Sequence, residues 1–239
     1  MRNLIWVIVA TSALGAAISL GLVPLEKPRA MSAAQHRATA LLREPGFLSI
    51  IAASALIQGS HAAYYTFASI TWQLSGLGGL TIAALWALGV VAEIVVFALS
   101  PRFKLQPSVL VLIGALSAVA RWLITAQAPP VAVLAVVQLA HGLTFGLTQV
   151  GTMGLMVRHV PIHVMARGQG YLAACAGIVA SCASILSGAV FARHGPGVYY
   201  AMAAMALLGA AVIWSARDFV ALSGEVETRS REENASSKP

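Results

Sequence analysis

Four side chains stand where an ionisable group is costly: His61, Glu93, Arg121 and His141 each lie inside a long apolar run. A charged group at the centre of a bilayer costs about 2.5 kcal/mol or more, so each of these is a functional candidate by default. Glu93 is the one acid in any of the runs. A carboxyl isolated in apolar surroundings favours its neutral form, and one beside a cation favours its ionised form. Both states suit a group that takes up and releases a proton; a static ion pair is the competing reading. Arg121 keeps its charge and therefore needs a partner. Glu93 and an anionic substrate are the two candidates. Snorkelling to the interface is a third reading, because Arg121 lies near the end of its run.

The neighbours extend the pattern. Ser54, Gln58, His61, Tyr65 and Trp72 follow offsets of 4, 7, 11 and 18, which fall on one stripe of a helix at about 100° per residue. Such a stripe suits a water-filled cavity; the alternative is hydrogen bonding to a neighbouring helix. Trp86 and Glu93 share a face, and Ser117 and Trp122 accompany Arg121. Gln138, His141, Phe145, Gln149 and Thr152 share another face. Gly142 and Gly146 form a GxxxG spacing that permits close helix approach, and Gly177, Ser181, Ser184 and Gly188 read as packing in the same way. Cys175 and Cys182 fall inside one run and read as small buried packing residues rather than a disulfide framework.

The elements that must position these groups are membrane-crossing helices. Of 239 residues, 59% are hydrophobic and 10% are charged, whereas a soluble domain carries about 25% charged residues. The apolar residues form seven runs: 4–23, 46–72, 79–100, 107–126, 131–157, 168–192 and 197–216. About 20 apolar residues, rising about 1.5 Å each, cross a hydrocarbon core about 30 Å thick. A lone segment in lipid must satisfy its own backbone, so helix is the expected form. Pro24, Pro28, Pro45, Pro101, Pro107, Pro129, Pro130, Pro161 and Pro196 sit in or beside the intervening loops.

The net charge is +7, and its placement orients the chain. Lys27, Arg29, Arg37, Arg43, Arg102, Lys104, Arg158, Arg167, Arg217, Arg229, Arg231 and Lys238 fall on one side of a seven-span chain, against Arg2 and Arg193 on the other. Lys and Arg accumulate on the cytoplasmic side, so the C-terminus is expected inside and the N-terminus outside. A signal anchor over the first run is a weaker alternative, because it would put the basic loop outside. HExxH, GxSxG, CxxC and phosphate-binding glycine loops are absent from the sequence, so no enzyme class is indicated. A retinal protein would need an intrahelical lysine, and Lys27, Lys104 and Lys238 all lie outside the runs.

The segments QGSHAAYYTFASITW (58–72), LWALGVVAEIVVFALSPRF (85–103), ARW (120–122) and VVQLAHGLTF (136–145) resemble the phenylpropionate permease group of the major facilitator superfamily, which is related to the lactose and nucleoside proton symporters. The resemblance runs over roughly residues 1–217. It implies an all-α integral membrane protein of about seven transmembrane helices corresponding to spans 6–12 of a twelve-span transporter, with substrate held between two halves. The implied organisation is a first transmembrane helix at 1–24, a cytoplasmic basic loop at 25–45, a six-helix C-terminal half at 46–217 and a disordered cytoplasmic tail at 218–239. It also implies the cell inner membrane as the location.

By the same resemblance, Glu93, Arg121 and His141 occupy spans that carry coupling residues in the lactose-type symporters. Those symporters place an acid one turn after the histidine, where this chain has Thr144. The implied function is proton-coupled uptake of a small aromatic carboxylate. No cofactor is expected beyond the coupling proton. Gln58, His61, Tyr64, Tyr65, Trp86, Arg121, Trp122, Gln138, His141 and Thr144 are the expected substrate-binding residues. The expected partners are the lipid bilayer, a small organic acid and a missing N-terminal half or a second copy of the chain; nucleic acid is not one. A second reading is a truncated or split fragment without transport of its own, serving with a partner half or as a membrane scaffold.

Overall fold

The computed structural model describes residues 10, 11, 13–15, 17, 18 and 40–216. The basic loop up to residue 39 and the tail at 218–239 lie outside the described residues. The chain divides into two units, residues 1–36 and 37–239. In the first, the described residues are all helical, as expected for a spanning run.

In the second unit, α1 (Pro45–Gly59) and α2 (Ala62–Leu74) form one apolar stretch with a break at Ser60 and His61. Pro45 opens α1 at a position where its missing N–H goes unneeded. The break is made without proline. Ser60 Oγ donates to the Ile57 carbonyl at 2.6 Å, and His61 Nδ1 bonds the same carbonyl at 3.1 Å. The His61 backbone N–H reaches only three residues back, to Gln58, at 3.1 Å. Side chains that compete for helical carbonyls bend helices.

The other elements are α3 (Gly79–Leu99), α4 (Pro107–Thr125), α5 (Val131–His141), α6 (Thr148–His159), α7 (Met165–His194) and α8 (198–216). A π turn at Gly142–Leu147 joins α5 to α6 without interrupting the span. Among the described residues, five stretches are long and apolar enough to cross a membrane, and the last, Ile162–Ala216, has 55 residues. As one helix it would run about 80 Å at about 1.5 Å per residue. It is instead broken at Gly195–Gly197, where Gly195 takes φ 52°. Gly59 touches both Val179 of α7 and Met205 of α8, and Phe47 packs with Tyr171 and Ile213. Those pairs lie on either side of the break, the outer pair enclosing the inner, so α7 and α8 form a hairpin.

Two apolar clusters mark the ends of the bundle. One gathers Phe47, Val111, Leu155, Leu172 and Ile213. The other gathers Trp72, Leu85, Trp122, Leu134 and Tyr199. Their order along each helix shows successive passes alternating in direction, giving six passes between residues 45 and 216. Arg43, Arg102, Lys104, Arg158 and Arg167 therefore share the end of the first cluster, and Arg193 lies at the other.

The two glycine spacings behave differently. A Cβ on Gly142 would come 2.6 Å from the Ala92 carbonyl oxygen, and one on Gly146 would come 3.0 Å from Val96, so α3 rides directly on the π turn. Gly177 has nothing within 4 Å and Ser181 is exposed, so these two do not serve close packing. Cys182 is exposed rather than buried, on the same open face as Ile178 and Ile185.

Candidate functional site

Between the two apolar clusters lies a polar layer built on the helix break and the π turn. The break puts His61 at the junction of α1 and α2, fully buried. Its Nδ1 must carry the proton, because its partner there is a carbonyl, and its Nε2 meets Thr144 Oγ1 at 3.2 Å. The π turn brings Thr144 to that point. The Thr144 hydroxyl also lies 3.3 Å from the His141 carbonyl, and its single proton serves one acceptor at a time.

Arg121 occupies the centre. It is 2% exposed, so it does not snorkel. Its Nη1 donates to His141 Nδ1 at 2.9 Å and to Thr144 Oγ1 at 3.3 Å, and its Nη2 donates to Gln138 Oε1 at 3.2 Å. The Tyr64 and Trp122 rings flank the guanidinium, with Cζ 4.6 and 4.7 Å from their centroids. Tyr64 Oη donates to the same Gln138 oxygen at 2.6 Å. Trp122 Nε1 donates to Ser60 Oγ at 3.0 Å, which ties the cage to the helix break.

A direct pairing of Arg121 with Glu93, one of its two candidate partners, is not made. Among the described residues, Arg121 touches no carboxylate, and Nε is buried without a partner. Glu93 instead lies 3.7 Å from His141 Nε2, an ion-pair distance. The physical reason is the placement of the imidazole. His141 stands between α3 and α4, so it meets the arginine with one nitrogen and the acid with the other. Since the arginine nitrogen donates, Nδ1 accepts, and the proton of the neutral ring sits on Nε2, facing Glu93.

The aromatic residues divide into two groups. Tyr64 and Trp122 are buried behind Arg121. Tyr65 is half exposed and stacks on Trp86 at 6.1 Å and 15°. Trp86 Nε1 is held by Ser69 Oγ at 2.9 Å. Beyond the break, Trp72 keeps ring contact with Tyr64 at 6.2 Å and with Trp86 at 6.0 Å. It lines an outer cavity of about 530 Å³ with Tyr199, Thr71 and Thr125. That cavity has no charged side chain in its lining. Gln58 bonds Gln149 across the layer, Nε2 to Oε1 at 3.4 Å.

The structure thus gathers Gln58, His61, Tyr64, Tyr65, Trp86, Arg121, Trp122, Gln138, His141 and Thr144 in one layer, with Glu93 at its edge. Ser60, Ser69 and Tyr199 also belong to it. Ser60 and Ser69 looked like ordinary small residues of an apolar run. Tyr199, stacked on Trp122 at 5.8 Å, comes from a helix with no polar stripe to announce it. Among the described residues, no group of His, Cys, Asp and Glu could hold a metal ion.

Comparison with known proteins gives this bundle of membrane-crossing helices a family. A family model described as the MFS_1-like family matches residues 3–202. The probable 3-phenylpropionic acid transporter of Escherichia coli (strain K12) is 34% identical over 159 residues, which cover 66% of this chain and 42% of that protein. The alignment therefore spans less than half the length of that relative. No solved structure matches the chain. Matched over most of its length by the family model, and built of alternating membrane-crossing helices, this chain belongs to the MFS_1-like family, whose members are multi-pass membrane transporters rather than enzymes.

Proposed function

We propose that this chain is the C-terminal half of a transporter that couples proton movement to uptake of a small aromatic carboxylate such as 3-phenylpropionate. The observation that carries this reading is Arg121: a fully buried guanidinium whose bonded partners are all neutral. A buried charge left without a counter-charge costs several kcal/mol. A substrate carboxylate supplies that counter-charge, and hydrogen bonds to an ionised acceptor are roughly twice as strong as neutral ones. Tyr64 and Trp122 hold the guanidinium in place. Tyr65 and Trp86 offer their faces to the ring. Gln58, His61, Gln138 and Thr144 supply hydrogen bonds around it.

The coupling follows from the position of His141. An entering carboxylate displaces His141 from the arginine. The freed imidazole, already facing Glu93, can then share a proton with that acid. Substrate arrival and proton uptake are linked through one ring, and Glu93 is the exchangeable proton site. The shared end of Arg43, Arg102, Lys104, Arg158 and Arg167 supports a cytoplasmic placement of that end by the charge rule, in the inner membrane. Residues 46–217 then form the six-helix half, with 1–24 as a sixth-span helix, 25–45 as the basic loop and 218–239 as the tail.

A half needs a second wall for its cavity. The α3 stretch and the Ile162–Ala216 stretch bury 17% and 11% of their apolar windows. Such open faces favour pairing with a complementary half, or with a second copy, over action alone. The test is uptake of labelled 3-phenylpropionate by cells expressing this chain with and without a complementary half. Accumulation abolished by a protonophore supports the proposal. No uptake in either case favours a fragment without transport of its own.

A further inference from the structure

We infer that the polar layer has a second end, formed by Gln58 and Gln149 with Thr152 one turn further along α6, which recognises a hydroxyl group on the substrate's aromatic ring. This deepens the proposed function and rests on it.

The pairing of two amides through a single bond leaves one carbonyl over. Gln58 Nε2 donates to Gln149 Oε1 at 3.4 Å, and Gln58 Oε1 is buried with no hydrogen-bond partner. Reversing both amides exchanges the residues but still leaves one acceptor spare. Thr152 Oγ1 is a second buried group without a partner, three residues beyond Gln149 on α6. Each unsatisfied polar group costs about 1–3 kcal/mol. Two such groups about a turn apart on a helix pair are a structural expense that a ligand would relieve.

The distance from Arg121 fits one small molecule. The guanidinium meets α5 and the π turn at His141 and Thr144. Gln149 lies five residues past Thr144, roughly 7 Å along the axis. Between them stands the Phe145 ring, 5.4 Å from His141 and 5.9 Å from His61. A ligand whose carboxylate sits at Arg121 would lay its ring along Phe145 and bring its far edge to Gln58. The groups there are all uncharged, so they suit a hydroxyl rather than a second carboxylate or an amine. The phenolic O–H donates to Gln58 Oε1, and Thr152 can either give or receive.

The test uses this chain together with a complementary half in lipid nanodiscs, titrated with 3-phenylpropionate and with its 3-hydroxyphenyl and 4-hydroxyphenyl analogues, read by tryptophan fluorescence. At least one hydroxylated acid is expected to bind roughly three- to tenfold tighter than the parent, the yield of one neutral hydrogen bond. Gln58→Leu and Thr152→Val each bring that ratio toward one, whatever they do to the affinity shared by all three acids. Either variant suffices if the other does not fold. Equal affinities in the unmodified chain, or a preference that survives both substitutions, overturn the inference while the carboxylate reading stands. Failure of every acid to bind overturns both.

Discussion

Arg121 and His141 meet through Nη1 and Nδ1 at 2.9 Å, and this contact fixes the chemistry of the layer. It assigns the imidazole proton to Nε2, turns that nitrogen toward Glu93 at 3.7 Å, and leaves the arginine with neutral partners.

The cage predicts that function and stability part company at Arg121. An apolar residue of similar length removes a buried charge whose desolvation costs several kcal/mol, which outweighs the cost of about 1–3 kcal/mol for leaving His141 Nδ1 without its donor. Arg121→Met should therefore keep or raise the thermal midpoint in detergent. It should also abolish the stabilisation that saturating 3-phenylpropionate gives to the unmodified chain. Melting curves with and without the acid check both halves of the prediction.

Glu93 is expected to matter for coupling rather than for holding substrate. Glu93→Gln keeps the size and hydrogen-bonding capacity of the side chain but cannot exchange a proton. In vesicles holding the chain with a complementary half, this variant should exchange labelled for unlabelled substrate yet fail to accumulate it under a proton gradient. Accumulation at the unmodified level would remove Glu93 from the mechanism.

The fit of α3 against the π turn makes a stability prediction. A methyl group on Gly142 meets the Ala92 carbonyl, and backbone cannot rotate away as a side chain can. Gly142→Ala should cost about 1–3 kcal/mol, the usual range for overpacking. Gly177→Ala, with open space around it, should change stability little. Paired unfolding measurements in one detergent compare them.

Ser60 joins the helix break to the cage. Ser60→Ala removes the acceptor of Trp122 Nε1, which lies 3.0 Å from Ser60 Oγ. The buried indole N–H is left unsatisfied, at about 1–3 kcal/mol. Loss of stability together with a red-shifted tryptophan emission, from water reaching the indole, is the expected result.

Particular residues show how far the sequence alone reaches. Runs of apolar residues located the passes, because lipid forces each lone segment to be a helix. His61, Glu93, Arg121 and His141 were conspicuous because their types are rare in such runs. Their pairing was not legible. Glu93 and Arg121 were the obvious ion pair by charge, but His141 stands between α3 and α4 and takes a nitrogen's reach from each. The one-stripe reading treated Ser54 to Trp72 as a single helix. An unbroken 100° period cannot anticipate a break made by Ser60 and His61 on a shared carbonyl. The π turn escaped for the same reason: its residues read as ordinary helix, and only tertiary packing against α3 and α4 defines it.

The central claim is that Arg121 binds a carboxylate, and the most direct measurement compares an acid with its neutral counterpart. Titration of the chain with a complementary half in nanodiscs, using 3-phenylpropionate and 3-phenylpropanol and followed by tryptophan fluorescence, isolates the charge. The account predicts that the acid binds at least about tenfold tighter, about 1.4 kcal/mol, and that Arg121→Met erases the difference. Equal affinity for acid and alcohol in the unmodified chain would contradict it.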